Sequence, residues 1–142
     1  MIDKVLFSSD KMDWRTPSAL YEKLNEEFNF TLDVAADDDN ALCKNYYTID
    51  DNALAQSWDN DVVFCNPPYS RGVYKWVKKA SEAHNSTVVM LIPARTDTKF
   101  FHEFIYNKAE IRFIKGRLKF SGSTNSAPFP SMIVVFRHKE KL

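Results

Sequence analysis

The stretch from Val62 to Tyr69, Val-Val-Phe-Cys-Asn-Pro-Pro-Tyr, joins an apolar run to a polar, proline-rich turn. β-Branched and aromatic side chains suit a buried strand, and proline cannot continue a ladder, so a central strand is predicted over residues 62–65. Ligands of open α/β sheets bind beyond the carboxyl ends of the strands. The turn is therefore expected at the rim of a sheet, beside a ligand.

The residue types of this turn suit the binding of an amino group. The Asn66 side-chain carbonyl and the Pro67 backbone carbonyl can both accept hydrogen bonds from one exocyclic amine, and Pro67 and Pro68 fix the separation of these acceptors. Tyr69 offers a flat face on which a planar base could stack. We therefore predict Asn66, Pro67, Pro68 and Tyr69 to be the catalytic residues.

Predicted helices and strands alternate along the rest of the chain. One helix is expected to begin at a Thr16 cap and Pro17. Others are expected over residues 73–80 and after a cap at Thr96 or Asp97. Between them, residues 37–60 are expected to be loop with at most a short helix and strand. Strands are predicted over residues 30–35, 62–65, 87–92, 110–114 and 132–136.

This alternation predicts an α/β fold. Strands that alternate with helices form βαβ units, which give a mostly parallel sheet with helices on both faces. No helix is predicted between the last two strands, so we expect them to form an antiparallel hairpin at one edge. With 142 residues, a single compact domain over residues 1–142 is expected.

Composition bounds the class of protein. The two cysteines do not form a disulfide framework, and the longest clearly apolar run, residues 88–92, is far shorter than the roughly 20 residues that cross a bilayer. A soluble protein of a reducing cytosol, with no membrane partner, is expected. The histidines His84, His102 and His138 are scattered and neither cysteine belongs to a close ligand pair, so no metal site is predicted.

The formal net charge of zero conceals a polarity along the chain. Up to Arg71 there are 14 acidic and 6 basic residues, a balance of −8, and after it 5 acidic and 13 basic residues, a balance of +8. The second half is expected to carry a basic face that meets phosphates. Lys75, Lys78 and Lys79 are expected instead to solvate a helix face.

Five segments in order, together with Asn-Pro-Pro-Tyr, resemble the Dam-like DNA N-6-adenine methyltransferases of phages and prophages. The segments are Trp14–Pro17, Leu32–Ala36, Pro93–Asp97, Gly116–Phe120 and Asn125–Pro128. The resemblance covers nearly the whole chain. It implies a Rossmann-like fold, S-adenosylmethionine (AdoMet) as cofactor, DNA as partner, and an enzyme encoded by a phage or prophage that works in the cytoplasm of a bacterial host.

The resemblance also implies a cofactor site. Asp33 and the helix start at Thr16 and Pro17 would hold the methionine end of AdoMet, since an aspartate favours an ammonium group and a helix N-terminus favours a carboxylate. A plain helix cap is the alternative for Thr16 and Pro17. Asp51 is the candidate for the adenosyl end, with a solvated loop acid as the alternative. The complete set of predicted cofactor-binding residues is Trp14, Thr16, Pro17, Asp33, Ala35, Asp51 and Asn66.

The sequence departs from the common methyltransferase pattern after the first strand. The three glycines are Gly72, Gly116 and Gly122, so Ala35 and Ala36 stand where a glycine-rich loop is usual. Small side chains permit close approach of a ligand, but a positive φ there would be disfavoured.

DNA contacts are expected from the basic half. The predicted nucleic-acid-binding residues are Arg71, Arg95, Arg117, Lys119, Asn125 and Ser126. Asn125 and Ser126 are also ordinary turn formers. Phe120 and Phe129 could stack on bases or anchor the loop.

The predicted reaction is transfer of the AdoMet methyl group to the amine of an adenine swung out of the duplex. Three alternatives remain open at this point: methylation of RNA, methylation of a protein glutamine, and a catalytically inert nucleic-acid-binding relative. A homodimer is left open too.

Overall fold

A five-stranded mixed sheet lies at the centre of the residues that this computed structural model describes, which are 15–37, 39–69, 72–121 and 125–138. Its strands lie in the order β1-β2-β3-β5-β4. They are β1 (Leu32–Asp33), β2 (Val62–Cys65), β3 (Ser86–Pro93), β4 (Glu110–Phe113) and β5 (Ser131–His138). Trp14 and Arg71, both predicted site residues, lie outside the described residues.

Among the residues that the structure describes, two α-helices cover the sheet. Helix α1 (Ser18–Phe28) precedes β1, and helix α2 (Val73–Glu82) connects β2 to β3. Two 3-10 helices (Ile49–Asp51 and Ala53–Ala55) lie between β1 and β2, and a π-helical turn (Phe101–Ile105) lies between β3 and β4. The expectation of α/β architecture is thereby confirmed.

The two helices pack on opposite faces of the sheet, as predicted. Successive side chains of a strand point to opposite faces, so β3 serves both sides. Its Val88, Met90 and Ile92 join one buried cluster with Val77 and Ala80 of α2. Its Val89 and Leu91 join a second cluster with Tyr21 and Leu24 of α1. The middle of β3, residues 88–92, is therefore apolar without interruption, which is the pattern of a strand buried on both faces.

The prediction of a mostly parallel sheet is not confirmed. β1, β2 and β3 pair in parallel, over two and four residue pairs. β5 pairs antiparallel with β3 over eight residue pairs and with β4 over four. The predicted antiparallel pairing of the last two strands at one edge of the sheet is confirmed, with β4 as the edge strand and β5 between β3 and β4. No helix is found in the described part of the connection between β4 and β5, and the chain reverses its direction there.

Two predicted helix starts are wrong. Helix α1 begins at Ser18 after Pro17, and no side chain caps it. The third predicted helix is mainly the π-helical turn, which neither Thr96 nor Asp97 caps, because these two residues form a turn that precedes it. The first strand is also shorter than the predicted residues 30–35, since the chain bends after Asp33, whose carboxylate accepts from the Ala35 N–H.

Candidate active site

A cavity of about 620 Å³ opens at the carboxyl ends of β1 and β2. This volume lies within the usual range for small-molecule sites. The first strand, the segments after it, the Asn-Pro-Pro-Tyr turn, α2 and the connection between β4 and β5 all contribute to its wall. The lining residues include Arg15, Thr16, Ser18, Asp33–Asp37, Asp39–Leu42, Thr48, Ile49, Asn52–Leu54, Phe64, Asn66–Tyr69, Trp76 and Ser121. The cavity lies where the sequence places a ligand.

Asn66 follows β2 directly and turns its side chain into this wall. The Asn66 Nδ2 donates to Thr16 Oγ1 at 3.0 Å, so the amide nitrogen faces Thr16 and Oδ1 is the acceptor end of the group. Pro67 and Pro68 continue the wall, the former buried and the latter exposed. All four predicted catalytic residues therefore line one cavity.

Thr16 has a partner that the sequence prediction missed. Its hydroxyl accepts from Asn66 and does not cap α1. Its backbone carbonyl accepts from Ser121 Oγ at 3.0 Å, and the Ser121 N–H donates to the Arg15 carbonyl at 2.9 Å. The start of α1, the Asn-Pro-Pro-Tyr turn and the connection from β4 to β5 thus meet at Thr16.

Tyr69 is anchored by its hydroxyl. Its Oη donates to the Leu91 carbonyl on β3 at 2.9 Å, and burial raises the pKa of Tyr69 well above that of an exposed tyrosine. The hydroxyl therefore stays protonated at neutral pH. The ring packs edge-on against Phe129 and Phe120, with centroids 5.5 and 6.2 Å away. Phe120 and Phe129 are buried, as expected for side chains that anchor the loop.

Asp33 supplies a buried carboxylate at the end of β1, only 3% exposed. Its oxygens accept from the backbone N–H groups of Ala35 and Leu42, at 3.2 and 3.3 Å. Burial raises the pKa of Asp33 above the ordinary aspartate value, and the two hydrogen bonds only partly oppose this. A cationic partner in the cavity would therefore stabilise the charged form of this buried carboxylate.

The missing glycine-rich loop does not distort the turn after β1. Among the described residues, positive φ occurs at five asparagines, Gly72 and Gly116, and not at Ala35 or Ala36. The Ala36 N–H donates to the Tyr47 carbonyl at 3.0 Å. Alanine can therefore hold this turn without backbone strain, and its small side chain lines the cavity.

Asp51 is not brought into the cavity. Its Oδ2 accepts from the Thr48 N–H at 2.7 Å, which closes the first turn of the 3-10 helix, and the residue is not part of the cavity wall. The wall is instead formed by its neighbours Thr48, Ile49 and Asn52.

Apolar residues line a part of the cavity that the sequence analysis did not assign. Ile49 is 92% exposed although it is a large aliphatic residue, and Ala53, Leu54 and Trp76 line the same cavity. Together these side chains give the cavity an apolar part of its wall that a ligand can cover. The signal in the sequence was an isoleucine among polar residues, which is too weak to find alone.

Five of the predicted DNA-binding residues belong to the described part of the chain, and all five are exposed and lie outside the cavity wall. Arg95 follows the carboxyl end of β3, and Arg117, Lys119, Asn125 and Ser126 lie on the connection between β4 and β5. The Arg117 Nη1 donates to the Ala127 carbonyl at 3.4 Å, and the Ala127 N–H donates to the Leu118 carbonyl, so the ends of the loop are tied together.

Clusters of metal ligands and membrane-spanning helices are both absent from the described residues. No group of three or more His, Cys, Asp or Glu side chains in that part of the chain could hold a metal ion. None of the helices found there has the length and apolar character that crossing a membrane requires.

The fold and the cavity together define an α/β enzyme with an amide-proline corner that can hold an amino group at the carboxyl edge of its sheet. The chain belongs to the DNA N-6-adenine-methyltransferase (Dam) family, whose model matches residues 5–141. The resemblance deduced from the motifs is thereby confirmed.

Two phage proteins are similar to this chain, and both are named DNA N-6-adenine-methyltransferase. The one from Haemophilus phage HP1 is 33% identical over 141 residues, which cover 92% of this chain and 82% of the phage protein. The one from Escherichia phage T1 is 38% identical over 109 residues, which cover 74% of this chain and 45% of the phage protein.

Proposed function

We propose that the protein transfers the methyl group of AdoMet to the exocyclic amine of adenine in DNA, with Asn66 and Pro67 as the two acceptors that hold the amine. Membership of the Dam family supports adenine in DNA as the acceptor. The observation that carries the residue assignment is the Asn66 amide, which lies in the cavity wall with its nitrogen bound to Thr16.

The residues of the cavity fit AdoMet. Asp33 offers a buried carboxylate for the ammonium group, and the start of α1 at Thr16 and Ser18 offers a hydroxyl and helix N–H groups for the carboxylate. Ile49, Leu54 and Trp76 offer apolar surface for the adenine ring. When bound, AdoMet supplies a methyl group activated by its sulfonium. We assign no cofactor contact to Asp51.

The chain's own part in the reaction is positioning. The lone pair of an aromatic amine is delocalised into the ring, so the amine is a poor nucleophile. Two acceptors at Asn66 and Pro67 hold its hydrogens and turn the lone pair away from the ring, and fixed orientation supplies much of the remaining rate enhancement. The protonated Tyr69 hydroxyl is held by Leu91 and is not a base. Its ring is proposed to contact the extruded adenine.

DNA is proposed to lie across the exposed rim beside the cavity. Arg95, Arg117, Lys119, Asn125 and Ser126 are proposed contacts there, and Arg71 and Trp14 keep their proposed roles from the sequence. We also propose that the chain forms one domain with a Rossmann-like arrangement and that the protein acts in the cytoplasm of a bacterial host. A homodimer is left open.

Replacement of Asn66 tests this function. Asn66→Ala removes the side-chain acceptor for the amine, so the rate of methyl transfer is expected to fall by about 100- to 1000-fold or more. AdoMet affinity is expected to stay nearly unchanged, because the charged group proposed to hold the cofactor, the Asp33 carboxylate, is kept. The measurements are incorporation of labelled methyl groups into adenine of DNA, and calorimetry with AdoMet.

Asn45→Ala is the matched control, because Asn45 is exposed and does not line the cavity. An Asn66→Ala protein with wild-type activity contradicts the catalytic role. If the wild-type protein incorporates labelled methyl groups only into RNA or protein, DNA is not the substrate.

A further inference from the structure

A threonine holds the catalytic amide from the far side. Thr16 and Asn66 are 50 positions apart, yet the Asn66 Nδ2 lies 3.0 Å from Thr16 Oγ1. Thr16 is only 9% exposed, so water does not readily replace this contact. The threonine is not needed to cap α1, which has no side-chain cap. The hydroxyl oxygen accepts from Asn66, and the hydroxyl can at the same time donate its proton to the proposed AdoMet carboxylate.

We infer that Thr16 is a positioning residue that fixes the orientation of the Asn66 amide. The inference rests on the proposed function, in which Oδ1 accepts from the substrate amine. A carboxamide has a donor end and an acceptor end, and an amide turned by half a rotation would present N–H groups to the amine hydrogens. The hydroxyl of Thr16 binds the nitrogen end, which directs the oxygen end away from Thr16.

Thr16 is itself held in place. Ser121 Oγ donates to the Thr16 carbonyl, and residues Arg15 and Ser121 form an antiparallel bridge. These two contacts hold Thr16 and its neighbour Arg15 against the connection from β4 to β5. Because this connection carries the proposed DNA contacts Arg117 and Lys119, the catalytic amide and the DNA-facing loop share one support.

Removal of the hydroxyl alone tests this role. Thr16→Val keeps the shape but loses the acceptor, and kcat at saturating AdoMet and DNA is expected to fall on the order of 10- to 100-fold, since small misplacements of reacting groups have effects of that size. Thr16→Ser keeps the hydroxyl and is expected to restore kcat to within a few-fold of wild type. Thr87→Val is the matched control, because Thr87 lies on β3 at the opposite end of the sheet.

A spectroscopic readout separates positioning from a general structural defect. The side-chain amide resonances of Asn66, identified by their absence in Asn66→Ala, are expected to shift in Thr16→Val and to stay in place in Thr16→Ser and Thr87→Val. If Thr16→Val does not fold, Thr16→Ala is measured in the same way. Wild-type kcat in a folded protein without the hydroxyl, or unmoved Asn66 resonances, overturns the inference.

The failure of this inference is distinguishable from failure of the proposed function. An inactive Asn66→Ala protein with a fully active Thr16→Val protein rejects only the positioning role. An active Asn66→Ala protein rejects the proposed role of Asn66, and the positioning role with it.

Discussion

Asp33 is subject to two opposing demands. Burial disfavours its charge, whereas the proposed partner, an ammonium group, requires that charge. Because the pKa of Asp33 is raised in the folded state, the folded protein holds this proton more tightly than the unfolded chain. Ionisation of Asp33 therefore lowers stability as the pH rises from the ordinary aspartate range through the raised pKa. A bound cation reverses this preference.

The affinity for AdoMet is expected to depend on pH through this residue. Binding should weaken as the pH falls through the raised pKa of Asp33, approaching about tenfold per pH unit below it, because the protonated acid cannot pair with the ammonium group. The fall begins at a higher pH than an exposed aspartate would give. Calorimetric titrations with AdoMet across the acidic range measure it.

Asp33→Asn is expected to weaken AdoMet binding at neutral pH by about 10- to 100-fold and to flatten the pH dependence. Asp59→Asn provides the control, since Asp59 accepts from the His84 N–H away from the cavity. A pH dependence that survives in Asp33→Asn assigns the titration to another group.

Sequence rules located Asn66 and Asp33 because each directly follows or ends an apolar strand, which is a local signal. For Thr16 the predicted helix cap is wrong, because its hydroxyl accepts from Asn66, 50 residues away, whereas its predicted contact with the cofactor stays a proposal. Sequence rules also placed Asp51 at the cofactor, although its carboxylate is used by the Thr48 N–H three residues earlier. Contacts between distant segments and competition for a side chain are decided by the packed fold.

In the segment between β1 and β2, too, local structure was predictable from the sequence and tertiary contacts were not. A loop with at most short regular structure was expected over residues 37–60, and two 3-10 helices and an isolated bridge at Tyr46 are found there. Its contribution to the cavity was predicted at Asp51, but Thr48, Ile49 and Asn52–Leu54 form the wall, because the placement of these residues depends on a tertiary anchor. Trp58 is 1% exposed, donates from Nε1 to the Ala53 carbonyl at 3.0 Å, and has its ring centroid 5.9 Å from that of Trp76 on α2.

Trp58→Phe is expected to loosen this segment. The smaller ring leaves a cavity and the Ala53 carbonyl loses its donor, so the free energy of unfolding should fall by about 1–3 kcal/mol. Because Ala53 and Leu54 line the cavity, AdoMet affinity should fall several-fold although Trp58 itself does not line it. Denaturant unfolding and calorimetry measure the two effects.

Phe136→Leu is the comparison, since Phe136 is buried on β5 in the same core cluster and outside the cavity wall. It should lower stability without changing AdoMet affinity. Equal losses of affinity in both variants would indicate a general effect of lower stability.

Acidic and basic side chains are separated between the cavity wall and the rim that is proposed to bind DNA. The acidic half of the chain forms most of the cavity wall, including Asp33, Asp37 and Asp39, while the exposed Arg95, Arg117 and Lys119 belong to the basic half. A carboxylate-rich wall repels phosphates and favours a cationic cofactor group. The two halves therefore suit two different ligands, although the net charge is zero.

DNA affinity is expected to fall with rising salt, because most of the non-specific binding would come from contacts between phosphates and a small number of basic side chains. Arg95→Ala, Arg117→Ala and Lys119→Ala should each weaken binding and reduce the slope of log affinity against log salt by about one, with AdoMet affinity unchanged. Lys78→Ala, which removes a lysine that pairs with Glu82 on α2, should leave the slope as it is. Fluorescence anisotropy with a labelled duplex at several salt concentrations measures the slope. A slope that Lys78→Ala lowers while the three rim variants do not would place the DNA on the face of α2 instead.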